Sequence, residues 1–243
     1  MKNKILLQIL LLPLFIFSQQ VSFTEFDLEN GLHVIMHQDN SAPVVITSVM
    51  YDVGGKDRAE GRTGFAHFFE HLLFEGSENI GRGEFMKIIP ANGGTFNAYT
   101  SNDETYYYEI FPSNKLELGL WMESERMLHP VIDQVGVDTQ NEVVKEEKRQ
   151  RYDSPYGKLF KVLGENLFKV HPYKDENIGK MEDLDAATLE EFMVYFDKYY
   201  TPTKLPSETF ICDLSAFTSV PVSPSLPSHP DSCYRRVSSS LHH

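Results

Sequence analysis

The sequence lacks several features on which common functional classes depend. It has two cysteines, Cys212 and Cys233, both near the C-terminus, so they offer one disulfide but neither a cysteine-based metal site nor a cysteine nucleophile. Lysine and arginine form no cluster, and the formal net charge of −13 argues against nucleic acid as a partner. No apolar run reaches the length of about 20 residues that a transmembrane helix needs. The remaining composition, with 41% hydrophobic and 23% charged residues, is typical of a soluble globular protein.

Residues 1–20 have the pattern of a secretion signal. Lys2 and Lys4 form a short basic start, and Ile5 to Phe17 is an apolar run of about the length of a signal-peptide core. We therefore predict that residues 1–20 are a signal peptide cleaved near Ser18, and that the protein is exported to the periplasm or the extracellular space. An uncleaved membrane anchor is the alternative.

Residues 21–203 mix strand and helix patterns and form one predicted domain. Strand patterns occur at 21–28 and 31–37 (a hairpin), 44–53, 95–100 and 105–111. Helix patterns begin near 64 and cover 83–91, 115–128, 138–151, 156–168 and 188–199. Because strands come as hairpins and helices in pairs, we predict an α+β fold with an antiparallel sheet flanked by helices. Residues 204–243 are rich in serine and proline, and we interpret this tail as disordered or as the product of a frameshift.

The most specific functional motif is His67-Phe68-Phe69-Glu70-His71. We expect its helix to begin near Gly64 with Thr63 as the N-cap. At about 100° per residue, Glu70 and His71 lie within about 60° of His67, and the apolar residues lie on the opposite side. Two imidazoles one turn apart can bind one metal ion, and the glutamate can reach a water bound to it. The order is that of the inverted zincin motif, so it predicts a zinc site; the alternative is a polar helix face that contains two histidines by chance.

Two histidines leave a zinc ion without a third protein ligand, and the predicted 138–151 helix offers one. Val143 and Val144 mark its apolar face, and Glu147 lies within about 60° of both. A carboxylate on an apolar face costs several kcal/mol unless it is paired or bound to a metal. We therefore prefer Glu147 as the third ligand, and a buried ion pair with Arg151 is the alternative.

These residues resemble the pitrilysin/insulinase family of zinc metallopeptidases, which includes the mitochondrial processing peptidases. Residues 64–76, 93–100 and 141–147 match the family's pattern, and the resemblance covers about residues 21–203. It implies one zinc ion bound by His67, His71 and Glu147, with Glu70 as general base on the zinc-bound water. It also implies that Asn97 and Ala98 lie on an edge strand that pairs with an extended peptide substrate.

The resemblance further implies two similar α+β halves that enclose a chamber, of which this sequence matches the first. We therefore expect a second pitrilysin-like domain or chain as a partner. The family often has another glutamate seven residues before the ligand glutamate, whereas this chain has Gln140. The predicted function is a zinc-dependent endopeptidase that hydrolyses extended or unfolded peptides. The alternatives are a non-catalytic peptide-binding subunit and an inactive fragment that needs a second domain.

Overall fold

The computed structural model describes residues 21–200 and the backbone of one further strand. The strands are β1 (Phe23–Asp27), β2 (His33–His37), β3 (Val44–Tyr51), β4 (Thr95–Thr100), β5 (Thr105–Pro112) and β6 (Phe210–Asp213). The helices are α1 (Phe65–Leu72), α2 (Phe85–Ala91), α3 (Leu116–Leu128), α4 (Gln134–Asp153), α5 (Leu159–Leu167), α6 (Met181–Ala186) and α7 (Leu189–Tyr199). Within the described part of the chain, no helix is long and apolar enough to cross a membrane.

All six strands belong to one sheet with the order β1-β2-β6-β3-β5-β4. The predicted hairpin is confirmed, because β1 pairs with β2 in antiparallel register. The pairs β3–β6, β3–β5 and β4–β5 are also antiparallel, and only β2–β6 is parallel among these strands. The predicted α+β fold with a mainly antiparallel sheet is therefore confirmed.

Strand β6 corrects the sequence analysis at four residues. Phe210–Asp213 lies in the segment that we interpreted as disordered or as the product of a frameshift, and the backbone of these four residues pairs between β2 and β3. The segment is too short and too isolated in a Ser/Pro-rich stretch to show strand periodicity, and its pairing partners lie more than 150 residues earlier in the chain. The predicted signal peptide, the rest of the tail and Cys233 lie outside the described residues.

The helices α1 and α3 pack on one face of the sheet. Along β5, alternate residues from Thr105 to Phe111 are buried on that face, as the two-residue period of a strand requires. Tyr107 donates a hydrogen bond from its hydroxyl to the Phe69 carbonyl of α1 (2.9 Å). From α3, the buried Arg126 guanidinium donates to the Leu73 carbonyl just after α1 (3.0 Å). The first contact fixes α1 on the sheet, and the second fixes its end beside α3.

Side-chain caps set the first residue of two helices, one of which begins earlier than predicted. Helix α4 begins at Gln134 rather than at 138, because the Asp133 side chain accepts a hydrogen bond from the Gly136 amide and caps the helix (2.8 Å). Helix α7 begins as predicted, with Thr188 and Glu191 forming a capping box. Helix α6 was not predicted, since its six residues are too few to show a period.

Candidate metal centre

Helix α1 begins differently from the prediction. Its N-cap is Gly64, which has a φ of 91°, and Thr63 provides no cap. Instead the Thr63 hydroxyl donates to the Asp183 carboxylate (2.5 Å) and accepts from the Lys180 amide (2.8 Å). A Cβ at position 64 would lie 2.8 Å from the Gly179 Cα. The predicted Thr63 cap is therefore wrong, because its hydroxyl bonds to Asp183 of α6 and to the Lys180 amide just before that helix.

The predicted division of α1 into two faces is confirmed. The apolar side chains on one face are fully or almost fully buried: Phe65, Phe68, Phe69, Leu72 and Leu73. Three of them surround the Phe192 ring of α7 at centroid distances of 4.5 to 6.0 Å. This packing leaves the motif's polar residues on the opposite face, where the two histidines face α4 and Glu70 faces β4.

His67, His71 and Glu147 meet at the contact between α1 and α4. The Nε2 atoms of His67 and His71 lie 3.3 Å and 3.4 Å from the same oxygen, Glu147 Oε2. One potential ligand atom from each residue lies within 4.8 Å of the others. In the described part of the chain, no other group of three such side chains comes together in this way. The residues selected from the sequence as metal ligands thus lie side by side.

The Glu147 carboxylate uses its two oxygens for different partners. While Oε2 faces the imidazoles, Oε1 accepts from the Arg151 guanidinium one turn later (3.0 Å). The hydrogen bonds with His67 and His71 hold the pKa of the Glu147 carboxyl well below its usual range. The carboxylate is therefore ionised and available as a ligand. The ion pair with Arg151, which we weighed as an alternative, is compatible with metal binding, since it occupies the other oxygen.

The local surroundings of Glu147 depart from the prediction in one respect. Val144 is fully buried, but Val143 is 44% exposed, so the buried face of α4 is rotated away from Val143. The Glu147 side chain is 37% exposed, at the border of that face. The Glu147 side chain is therefore only partly shielded from solvent.

The donor set fits a divalent metal of the zinc type. Two neutral imidazole nitrogens and one carboxylate oxygen are a common set for catalytic zinc, with the fourth position left to water. The Nδ1 atom of His67 is buried and has no hydrogen-bond partner among the described residues, whereas its Nε2 atom is the ring nitrogen that faces Glu147.

Glu70 has one fixed partner, which sequence reasoning missed. The Thr100 hydroxyl on β4 donates to Glu70 Oε2 (2.6 Å), which leaves Oε1 free of this contact. Thr100 shares the half-buried side of β4 with Phe96 and Ala98, so strand alternation alone indicates that it points toward α1. No signal in the sequence, however, identifies Glu70 as its partner.

Strand β4 is the last strand of the sheet and carries Asn97 and Ala98. Asn97 is exposed and Ala98 is half-buried. The Ala98 amide donates to Asn97 Oδ1 (2.9 Å), so the carboxamide folds back on its own strand. This edge lies next to the cluster, because Thr100 of the same strand contacts Glu70.

Comparison with known families and proteins gives a consistent result. The profile of the insulinase family (peptidase family M16) matches residues 33–180, which is more than half of the chain. The zinc protease PqqE of Helicobacter pylori is 34% identical over 177 residues, covering 72% of this chain and 40% of the relative. An uncharacterized zinc protease of Mycobacterium leprae is 30% identical over 178 residues, covering 73% of this chain and 40% of the relative. The chain therefore spans about two fifths of the length of these curated relatives.

Solved structures share the fold. A protease from Helicobacter pylori superposes with a TM-score of 0.73 at 31% identity, over 79% of this chain and 46% of that one. The first half of the periplasmic protease PqqL from Escherichia coli gives a TM-score of 0.73 at 22% identity, over 83% of this chain and 44% of that one. At the latter identity the likeness concerns the fold alone.

Proposed function

Since the chain belongs to the insulinase family (peptidase family M16), we propose that it is the metal-binding half of a zinc endopeptidase that cleaves extended or unfolded peptides. The observation that supports this most directly is the convergence of His67, His71 and Glu147, with Glu70 on the same helix face as the histidines. The names of the relatives, several of which are zinc proteases, support the choice of metal.

In this proposal His67, His71 and Glu147 hold one zinc ion. When bound, zinc would polarise the scissile carbonyl and lower the pKa of a bound water toward 7. Glu70 takes a proton from the attacking water and delivers it to the leaving amine, as a general base and then a general acid. Thr100 holds one oxygen of Glu70, so the other is oriented for the proton transfer. Arg151 holds Glu147 Oε1 and leaves Oε2 directed at the imidazoles.

The peptide would bind along β4 by adding a strand to the sheet. The edge position of β4 supports this, because a strand at the edge has backbone groups available for pairing. The Ala98 amide now donates to Asn97 Oδ1, and a peptide carbonyl could take over that hydrogen bond. The released Asn97 carboxamide would then be free to bind the peptide backbone.

A second pitrilysin-like half, in the same or another chain, would complete the enzyme. Relatives of about two and a half times the matched length support this, as does the likeness to a first half of a larger protease. The alternative functions are a non-catalytic peptide-binding subunit and a fragment that is inactive without the second half. We also propose that the protein is exported, which rests on the apolar run from Ile5 to Phe17.

The test measures metal content and turnover separately. Zinc is quantified in the purified protein and in the Glu147→Gln variant, and cleavage of an unfolded fluorogenic peptide is measured with and without an added second half from a relative. We expect one zinc per chain in the wild type and a much weaker affinity in Glu147→Gln. Glu70→Gln should keep the zinc and lose peptide cleavage by at least about a thousandfold.

The outcomes separate the candidate functions. A wild type without stoichiometric zinc contradicts the metal site. If zinc is bound and peptide binds but is not cleaved even with a second half, the protein is a peptide-binding subunit. Cleavage only after the second half is added identifies a divided enzyme.

A further inference from the structure

The metal ligands come from two helices, so their relative position decides whether the site is complete. Helix α1 supplies His67 and His71, and helix α4 supplies Glu147. A single Glu147 oxygen lies 3.3 Å and 3.4 Å from the two imidazoles. Since each residue advances a helix by about 1.5 Å, a slip of α4 by one residue would remove that oxygen from the cluster.

A buried carboxylate next to α1 ties α4 in place. Glu75, which is 9% exposed, accepts one hydrogen bond from the Gln140 carboxamide at Oε1 and another from the Arg82 guanidinium at Oε2. The same guanidinium contacts both carboxylate oxygens of Asp133 at 2.8 Å, and Asp133 caps α4 by accepting from the Gly136 amide. We call Glu75, Arg82, Asp133 and Gln140 the Glu75 network. It holds α4 at its N-cap, Asp133, and again at Gln140, almost two turns later.

The network lies on the same face of α4 as the metal ligand. Gln140 precedes Glu147 by seven residues, which is almost two helical turns, so both side chains face α1. Val144 lies between them and is fully buried. Beyond Glu147, the Lys148 ammonium donates to the Gly179 carbonyl, next to the start of α1. Glu147 is therefore placed between two fixed points.

The charge of residue 140 matters for this arrangement. Gln140 offers an amide N–H to the Glu75 carboxylate, whereas a carboxylate at 140 would face another carboxylate in a half-buried site. In this chain residue 140 is thus the donor, and Glu75 supplies the acceptor.

We propose that Glu75, Arg82 and Gln140 are positioning residues that fix the register of α4 on α1 and thereby hold Glu147 at the metal. This inference rests on the proposed zinc site. None of the three side chains contacts the ligand atoms in the described structure, so their effect on metal binding passes through the position of Glu147.

The experiment measures zinc affinity of the full chain by competition with a chromophoric chelator, together with the visible absorption spectrum of the Co²⁺ form. Gln140→Glu and Glu75→Gln should each weaken zinc binding by about tenfold or more and change the Co²⁺ spectrum. The exchanged variant Glu75→Gln/Gln140→Glu again pairs an amide with a carboxylate. It should recover affinity to within about threefold of the wild type. Gln140→Met removes the donor without adding charge, and it serves as the second variant if Gln140→Glu does not fold.

Two controls separate positioning from general stability. Arg149→Gln breaks the ion pair with Glu146 on the outer face of α4 and should leave zinc affinity unchanged. In a Glu147→Ala background, Gln140→Glu should cause no further loss, because the ligand it positions is absent. The inference is overturned if the single variants bind zinc as tightly as the wild type, or if the exchanged double variant does not recover zinc affinity. It is also overturned if Gln140→Glu lowers zinc affinity further in the Glu147→Ala background. A wild type that binds no zinc overturns the proposed function itself, and the inference with it.

Discussion

A buried group of charges shows how single residues set the stability of this fold. Glu109 on β5 and Glu123 and Arg126 on α3 are fully buried. The Arg126 guanidinium lies 2.6 Å from Glu109 Oε1 and 3.1 Å from Glu123 Oε2. Two carboxyl groups therefore share one guanidinium. Burial, and then the neighbouring Glu123, raise the pKa of the Glu109 carboxyl well above its ordinary value of 4.5.

This pKa predicts how stability depends on pH. Because the folded state binds the Glu109 proton more tightly than the unfolded state does, the free energy of unfolding falls as pH rises above about 4.5. Glu109→Gln imitates the protonated form. It should raise the free energy of unfolding at pH 8 by about 1 kcal/mol and weaken the decline between pH 5 and 8. Urea unfolding at several pH values measures both effects.

The matched control for Glu109 is an exposed glutamate. Glu142→Gln changes a side chain that is 70% exposed and should alter neither the stability nor its pH dependence. If Glu109→Gln instead lowers the free energy of unfolding by several kcal/mol at pH 8, Glu109 is charged in the folded protein and its ion pair with Arg126 is required.

At the level of elements, the start of α1 depends on a glycine in a left-handed conformation. Gly64 has a φ of 91°, and a Cβ there would lie 2.8 Å from the Gly179 Cα and 2.9 Å from the Ile178 carbonyl oxygen. An alanine would therefore cause both backbone strain and a steric conflict that separates the two segments. His67 lies only one turn further along α1.

Gly64→Ala should consequently lower the free energy of unfolding by about 3 kcal/mol and weaken zinc binding. Gly61→Ala is the matched control, because Gly61 also has a positive φ (70°) but no atom within 4 Å of its Cβ position. Gly61→Ala should lower the free energy of unfolding by about 1 kcal/mol, because it adds backbone strain without a steric conflict, and it should leave zinc affinity unchanged. Chemical unfolding and chelator competition on both variants provide the measurement. Equal losses of stability and of zinc affinity in the two variants would mean that the close approach of Gly64 to Gly179 affects neither property.

The same elements show which features the sequence could predict. The polar and apolar faces of α1 follow from a local period, so the convergence of His67 and His71 was predictable. Features that depend on contacts between distant parts of the chain were not predictable from the sequence. The Thr63 hydroxyl binds Asp183, which lies 120 residues later, and β6 inserts between strands from the start of the domain. Val143 is exposed because packing against α1 sets the rotation of α4, and a helical period leaves that rotation undetermined within about one residue.

On the scale of the whole molecule, helix α5 presents an apolar face to solvent. It has no buried residue, and its Leu159, Phe160, Leu163 and Leu167 side chains are 46 to 79% exposed. Their positions fall within an arc of about 100°, so they form one stripe. The lysines at 158 and 161 lie instead against the Tyr152 ring of α4, at 5.4 Å and 5.8 Å. The helix therefore directs its charged side toward the domain and its apolar stripe outward.

A contiguous apolar stripe of this kind should bind a hydrophobic dye in the folded protein. We expect the isolated chain to enhance the fluorescence of anilinonaphthalene sulfonate under native conditions. Phe160→Ser removes the most exposed ring of the stripe, so it should reduce that fluorescence by at least about half without lowering the free energy of unfolding. Val194→Ser on α7 is the control, because Val194 is also exposed (61%) but does not belong to the α5 stripe. This substitution should leave the dye fluorescence unchanged. Equal dye binding by Phe160→Ser and the wild type would show that the stripe on α5 is not the binding surface.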